Sequence, residues 1–303
     1  MAPAELGTDA VDALSMTTLP RPRPAFLQRR AVAAASLVLV IAVAAVVVVI
    51  VSSSHSARFA LAPNEHDVTA WTSPQSRPLS DAAAAALVAR TPENRPANQA
   101  ANDYAPTTRQ LEAFYRAQRD GPGVHNPLAV YVTGRPGIRD PSTDDLIQWA
   151  SHKWGIPTNW VRAQMAVESY WRQAERGDET TVDRRGFRQY PSFSRVPGSD
   201  QVYESVGISS EKWLPDNTIG AGTKQLRWES TAFNLDYYAA TIRYYYDGDC
   251  SWCTSGYHAG EAWNSVGAWF SPNPWGNTGA RKYIAKVQTA LAQRVWFQSA
   301  FEG

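Results

Sequence analysis

The chain has 303 residues, 44% of them hydrophobic, and this is enough apolar material for a folded domain with a sizeable core. Its 29 Lys and Arg residues are almost balanced by 28 Asp and Glu residues, so the charge gives no reason to expect a nucleic acid as partner. The 12 Trp and 13 Tyr residues are typical of helical cores, and their rings also suit the apolar faces of sugars.

The first predicted element is a transmembrane helix at residues 31–51. This stretch contains no charged residue, and its length matches the roughly 20 residues that cross a bilayer as a helix. The residues that precede it include four arginines, Arg21, Arg23, Arg29 and Arg30. The positive-inside rule therefore places the tail, residues 1–30, in the cytoplasm and everything after Val51 outside it. A cleaved signal peptide is the alternative, although its apolar region is usually only about 7 to 15 residues long.

Beyond the anchor, the composition predicts a stalk and then a folded domain. Residues 52–106 are rich in Ala, Pro, Ser and Asn and lack clusters of large apolar residues, which is typical of a spacer. A short helix is predicted within it, between Asp81 and Arg90. The domain, residues 107–303, begins at a capping pattern formed by Thr107 and Gln110.

The predicted domain is mainly α, with long irregular loops. Ser142 and Asp145 form a capping box that starts one helix, and a second helix begins at Thr158 and continues to Trp171. A third helix runs from Ser230 to Gly248, and the last long helix places Ile284, Val287, Leu291 and Val295 on one side. The only strand predicted is Val130 to Thr133, and residues 177–228 are too irregular to assign.

Glu168 is the candidate catalytic residue. It lies on the apolar stripe of the second predicted helix, where its polar neighbours are Gln164 and Ser169. Burial disfavours the charged form of a carboxyl group, so this position predicts a carboxylic acid that can donate a proton. The competing interpretation is a glutamate that pairs with Arg162 or Arg172 at a helix end.

Several short motifs accompany this glutamate in the same order along the chain. They are Glu168-Ser169, Ser205-x-Gly207 with Ser210, Asn234 near a helix start, and Tyr257 with Gly260. From about Ser142 to Trp296 the sequence resembles the soluble-lytic-transglycosylase-like (SLT) domains of the lysozyme-like superfamily. In that family a glutamine occupies the position of Ser210, so activity depends on whether the serine can replace it.

The resemblance implies a lysozyme-like helical fold and cleavage of the glycan strands of peptidoglycan. Glu168 would protonate the oxygen between N-acetylmuramic acid and N-acetylglucosamine and then assist attack by the muramoyl C6 hydroxyl, leaving a 1,6-anhydro end. This route needs neither a metal nor a cofactor. The residues that the resemblance and the aromatic content place at the substrate are Ser169, Ser205, Gly207, Ser210, Asn234, Tyr257, Trp263 and Trp269.

Three other functions remain open. A muramidase that uses water would need a second carboxylate, for which Asp178 or Glu204 are candidates, although each is more typical of surface charge. Loss of the family glutamine at Ser210 would also fit a wall-binding module without turnover. A scaffold that only docks other envelope proteins would make Glu168 dispensable.

Four tryptophans and the two cysteines cluster near the end of the domain. The tryptophans are Trp252, Trp263, Trp269 and Trp275, which suit either the core or a glycan groove. Cys250 and Cys253 are the only cysteines, and outside the cytoplasm they are expected to form a disulfide. A redox pair would need a strand and a helix around the motif, and a zinc site would need further ligands, of which His258 is an isolated candidate.

Overall fold

A computed structural model describes residues 68–123, 125–250, 253, 258–271, 277–298 and 301. This part of the chain is mainly helical, which confirms the predicted fold class at that level. None of the helices described here is both long and apolar enough to cross a bilayer. The predicted tail and anchor, residues 1–51, lie outside the described residues.

The elements alternate between helices and a short sheet. In chain order the α-helices are α1 (Asp81–Ala85), α2 (Gln99–Asn102), α3 (Thr108–Asp120), α4 (Thr143–Trp154), α5 (Thr158–Ser169), α6 (Arg184–Gln189), α7 (Leu226–Glu229), α8 (Thr231–Tyr246), α9 (Ala262–Phe270) and α10 (Thr278–Gln293). The strands are β1 (Arg176–Thr181), β2 (Gln201–Val206) and β3 (Glu211–Lys212). Short 3-10 helices occur at Pro96–Asn98, Pro127–Tyr131, Ser192–Ser194 and Val295–Phe297.

Two helices, α4 and α8, form the centre of the domain. Every residue of α4 is buried, and so is every residue of α8 except Thr241. They pack against each other, while α5 and α9 pack on their outer sides and α10 packs on α5. The predicted capping box starts α4, because Ser142 Oγ accepts a bond from the Asp145 amide at 3.1 Å and the Asp145 carboxylate accepts one from the Ser142 amide at 3.0 Å.

The carboxylate of Asp236, buried between the central helices, is surrounded by hydrogen-bond donors. Asp236 of α8 accepts bonds from the Lys153 ammonium at 2.8 Å and from the Trp154 indole at 2.6 Å. The backbone amides of Thr133 and Gly134 also donate to Asp236, at 2.8 and 3.0 Å. These contacts compensate for the loss of water around a buried carboxylate.

A three-stranded antiparallel sheet follows α5 directly. Its strand order is β1-β2-β3, with Arg176 opposite Val206 and Ser205 opposite Lys212. It lies within the stretch that the sequence left unassigned. The strand predicted at Val130 to Thr133 is wrong: a 3-10 helix begins at Pro127, where Asn126 Oδ1 accepts a bond from the Leu128 amide at 2.9 Å.

The segment from Val68 to Pro106, predicted as part of a stalk, lies on the helical body. The Val68 carbonyl accepts a bond from the Thr158 amide at 3.0 Å, and Ala84 of the short helix predicted in this segment is fully buried. Arg95 and Asn98 are buried as well. Trp71, Val88 and Tyr104 also pack against the core, and the Trp71 ring stacks on Tyr246 at a centroid distance of 4.5 Å. These large residues are scattered along the segment instead of clustered, which is why the boundary was placed at Thr107. We refer to Val68–Pro106 as the N-terminal segment.

Candidate active site at the end of helix α5

Glu168 is the last residue but one of α5, and the chain reverses immediately after the helix. Tyr170 and Trp171 both have left-handed backbone conformations, with φ of 54° and 61°. This conformation is uncommon for residues other than glycine and strained for bulky ones. The Trp171 side chain is fully buried, and its indole donates to the Arg162 carbonyl at 2.9 Å, which anchors the turn.

The N-terminal segment fixes this turn from behind. Arg95 Nε donates to the Tyr170 carbonyl at 2.8 Å, and Asn98 Nδ2 donates to the Trp171 carbonyl at 2.6 Å. The carbonyl groups of the turn that follows α5 thereby have hydrogen-bond partners, as buried backbone groups require.

The Glu168 carboxyl group has the electrostatic environment of a proton donor. Its side chain is only partly exposed, and burial raises its pKa from 4.5 to about 7. Hydrogen bonds from Tyr283, Ser210 and Trp269 lower the pKa, while the negative charge of Asp178 raises it. The Tyr283 hydroxyl donates to Glu168 Oε1. At neutral pH a substantial fraction of this group therefore carries a proton.

The alternative in which an arginine neutralises Glu168 does not match the contacts. Arg162 pairs with Asp144 at 2.7 Å, and Arg172 pairs with Glu175 at 3.3 Å. A nearby cation would lower the pKa of the carboxyl group, whereas a phenol hydroxyl leaves the desolvation by burial dominant. The partners of the two arginines are thus part of the reason why Glu168 remains a weak acid.

The loop Gly207–Ser210 lies against the end of α5. Ser169 Oγ donates to the Ile208 carbonyl at 2.7 Å, and Ser210 Oγ donates to the Glu168 carbonyl at 3.2 Å. The serine that replaces the family glutamine therefore contacts the backbone of Glu168. Gly207 has a φ of 89°, and a Cβ atom there would lie 2.3 Å from the Asn234 amide nitrogen.

Asn234 of α8 holds the same loop from the core. Its Oδ1 accepts bonds from the Ser209 amide at 2.9 Å and the Ser209 hydroxyl at 2.6 Å. Its Nδ2 donates to the Arg227 carbonyl at 2.9 Å and the Val206 carbonyl at 3.3 Å. Ser169, Gly207 and Asn234, predicted as substrate-binding residues, are buried and bonded within the protein. Through these bonds they position the loop.

Tyr283 of α10 is a site residue that the sequence analysis missed. The apolar stripe of that helix was placed on Ile284, whereas the structure buries Tyr283 and leaves Ile284 partly exposed. Burial and the charge of Glu168 raise the pKa of Tyr283 well above its usual value, so its hydroxyl stays a donor. Tyr238 lies next to it and donates to Gln164 at 2.7 Å.

Of the two acids predicted as second carboxylates, only Asp178 acts on Glu168. Asp178 of β1 is exposed and accepts a bond from Ser205 Oγ at 2.6 Å, so the predicted site residue Ser205 orients a carboxylate. Glu204 is paired with Lys212 at 2.8 Å and accepts a bond from Tyr190 at 3.3 Å. The same lysine also lies 3.5 Å from Asp178, but the charge of Asp178 still raises the pKa of Glu168.

A third acidic residue shows that a raised pKa alone does not define a site. Burial raises the pKa of Glu211 to about 8, although the charge of Arg227 lowers it. Glu211 is only 3% exposed. A group without access to solvent cannot reach a polymeric substrate, so Glu211 is not a candidate acid.

The predicted aromatic residues divide between the site and the core. Trp269 lies in the site, where its indole donates to the Ser209 carbonyl at 3.2 Å and its ring contacts Tyr238 edge to face. Trp263 stacks on Trp160 at a centroid distance of 3.9 Å, and both partly exposed rings pack at the edge of the core. Tyr257, Trp252 and Trp275, which the sequence analysis also singled out, lie outside the described residues.

Cys250 and Cys253 form the predicted disulfide. In the part of the chain that the structure describes, no group of three or more His, Cys, Asp or Glu side chains has the arrangement of a metal site. No protein-family model matches the sequence, and the chain shows no match to a curated protein or to a solved structure.

Proposed function

We propose that the protein cleaves the glycan strands of peptidoglycan as a lytic transglycosylase, with Glu168 as its single acid and base. The observation that carries the proposal is the Glu168 carboxyl group, whose pKa burial raises to about 7 at the partly open end of α5. A carboxylic acid in such surroundings is suited to protonating a glycosidic oxygen. The order of the motifs around it, described from the sequence, supports peptidoglycan as the substrate class.

The hydrogen bonds suggest how the proton moves. Because Tyr283 donates to Oε1 of Glu168, Oε2 is the oxygen available to carry the proton. Oε2 passes it to the oxygen that joins muramoyl C1 to glucosamine C4, and the C1–O bond breaks as glucosamine leaves with a free hydroxyl. The muramoyl C6 oxygen then bonds to C1 while its proton returns to Glu168. The product is a 1,6-anhydro end, and the enzyme regains its acid form.

A hydrolytic muramidase is the second candidate, and Asp178 is the observation that favours it. This exposed carboxylate lies close enough to raise the pKa of Glu168 and is oriented by Ser205. In most glycosidases a second carboxylate activates water or attacks the sugar. If Asp178 has this role, the new chain end is a reducing sugar instead of an anhydro sugar.

We further propose that residues 31–51 anchor the protein in the cell membrane, with the C-terminal domain outside the cytoplasm. The hydropathy of this stretch and the arginines before it support the topology. The Cys250–Cys253 disulfide also supports it, because disulfides persist in oxidising compartments. Resistance of the full-length protein to carbonate extraction from membranes, lost on deletion of 31–51, is the expected result.

The decisive experiment incubates the full-length protein, in mild detergent, with purified peptidoglycan and identifies the soluble products by mass spectrometry. The test variant is Glu168→Gln, and Glu179→Gln on the exposed strand β1 is the matched control. We expect anhydro products from the wild type and the control, and a loss of about 10²- to 10⁴-fold for Glu168→Gln, the usual contribution of a general acid.

Each alternative predicts a different product. Reducing ends that disappear in Asp178→Asn would replace the lytic route by hydrolysis. Intact glycan that is bound equally by wild type and Glu168→Gln would indicate a binding module without turnover. Intact glycan that neither protein binds would contradict both enzymatic proposals and favour a scaffold.

A further inference from the structure

Phe270 is an exposed aromatic residue that neither the motifs nor the proposed chemistry uses. It is the last residue of α9 and is 55% exposed, although Ala268 is buried and Trp269 contributes to the site. Single exposed apolar side chains are ordinary on protein surfaces. The position of Phe270 relative to the acid is what distinguishes it.

Phe270 contacts Tyr283, the residue that is hydrogen-bonded to Glu168. Its ring stacks on Tyr283 with centroids 5.3 Å apart and planes 20° from parallel. The Tyr283 hydroxyl in turn donates to the Glu168 carboxylate. Phe270 therefore lies beside the proposed proton donor, on the outer side of the tyrosine that orients it.

The Phe270 ring is supported on one face and one edge. Tyr283 covers the face, and the start of α10 covers the edge, since a Cβ atom at Gly279 would lie 2.9 Å from Phe270 Cε1. A side chain at position 279 would push the ring from this place. The glycine thus lets α10 support the ring while most of the exposed surface faces outward.

We infer that Phe270 is a platform on which one sugar ring of the glycan stacks next to the bond that is cleaved. The apolar C–H face of a pyranose ring fits a flat aromatic surface of similar size, and binding sites combine such surfaces with a few polar groups that fix orientation. Glu168 holds only one atom of the substrate, so a rigid platform nearby would fix the position of the strand beside the acid. This inference rests on the proposed function and adds a substrate-binding residue to it.

The test compares Phe270→Ala and Phe270→Tyr with the wild type in the full-length protein. The control is Val130→Ala, because Val130 is 63% exposed on the 3-10 helix Pro127–Tyr131. Cleavage of peptidoglycan glycan oligosaccharides is measured for kcat and KM. We expect Phe270→Ala to raise KM about 3- to 10-fold, the range for one aromatic stacking contact, with kcat nearly unchanged. Phe270→Tyr should keep the KM of the wild type.

Binding to the same oligosaccharides, measured by calorimetry in a Glu168→Gln background, separates this inference from the proposed function. If the wild type binds glycan without cleaving it, the enzymatic proposal fails, and a weaker affinity on adding Phe270→Ala still supports the platform. If the wild type cleaves glycan and Phe270→Ala has the KM of Val130→Ala, the platform is refuted while the enzyme remains. A wild type that neither binds nor cleaves overturns both.

Discussion

Asp236 and Glu168 both belong to helices of the helical body, but the regions around them hold their carboxyl groups in opposite ways. Asp236 accepts bonds from a lysine, an indole and two backbone amides. Glu168 has hydroxyl and indole partners, and within the described residues no arginine or lysine is paired with it. The first arrangement stabilises a charge, whereas the second leaves burial to favour the protonated form.

The difference teaches which buried acids of this chain are structural. A carboxylate with a full set of cationic and amide donors contributes to packing and has no free lone pair for a substrate. A carboxyl group that keeps part of its surface exposed and lacks a cation can give its proton away. The comparison depends on the partners, since burial itself is common to both regions.

Asp236→Asn tests the structural side of the comparison and has the largest expected effect. The substitution leaves the Lys153 ammonium buried with Asp81 as its remaining partner, at 2.7 Å. Breaking a buried ion pair costs about 3–5 kcal/mol, so the free energy of unfolding in urea should fall by about 4 kcal/mol. Asp216→Asn, at an exposed position, is the control; equal stability of the two variants would contradict a structural role for Asp236.

Glu168→Gln should change stability in the other direction. The pKa of Glu168 is about 7 in the folded protein against 4.5 as its ordinary value, so the folded state loses stability as the pH rises from about 4.5 to 7. Glutamine removes this penalty. Relative to wild type, the variant should gain up to about 3 kcal/mol between pH 4.5 and pH 8, because one pKa unit is about 1.4 kcal/mol. A difference that does not vary with pH would show that Glu168 titrates normally.

Tyr283→Phe removes the hydroxyl that donates a hydrogen bond to Glu168 and should shift the pH profile of cleavage. The lost hydrogen bond lowers the pKa of Glu168 in the wild type, so its removal raises that pKa. The loss of activity at alkaline pH, measured as kcat/KM against pH, should then move to higher pH. If the pH at which kcat/KM falls on the alkaline side does not change, a group other than Glu168 controls that loss of activity.

Asp178→Asn should produce the smallest change, with the opposite sign. The charge of Asp178 raises the pKa of Glu168 less than burial does, so removing it lowers that pKa slightly. The alkaline limb should move to lower pH by less than Tyr283→Phe moves it upward. Glu179→Gln on the same strand serves as the control. A shift in the same direction as that of Tyr283→Phe would contradict the assigned electrostatics.

The helices that could be predicted from sequence are those with local signals. The capping boxes at Thr107 and Ser142 depend on hydrogen bonds between residues three apart in the sequence, and both capping boxes are present in the structure. The strands could not be predicted in this way, since β1 carries polar and largely exposed residues and forms only because β2 pairs with it. The apolar run at Val130 suggested a strand, but the preceding Asn126 and Pro127 start a helical turn instead.

The same limit applies to the site. Glu168 was recognisable because its neighbours along one helix are apolar, and the serine and glycine motifs that follow it do lie beside it. Tyr283 was not recognisable, because it reaches Glu168 from a helix more than a hundred residues away in the sequence. The buried roles of Asn234 and Ser169 also depend on how distant elements pack, which periodicity does not specify.

The hydrogen bonds from the N-terminal segment to the turn after Glu168 limit how far the chain can be shortened without loss of activity. A fragment that starts at Thr107 would include every described residue assigned to the site, yet it would lack Arg95 and Asn98, which bind the carbonyls of Tyr170 and Trp171. The two strained left-handed residues would then be free to relax, and the last turn of α5 could unwind with them. Shortened versions for crystallisation or assay should therefore retain the chain from Val68 onward.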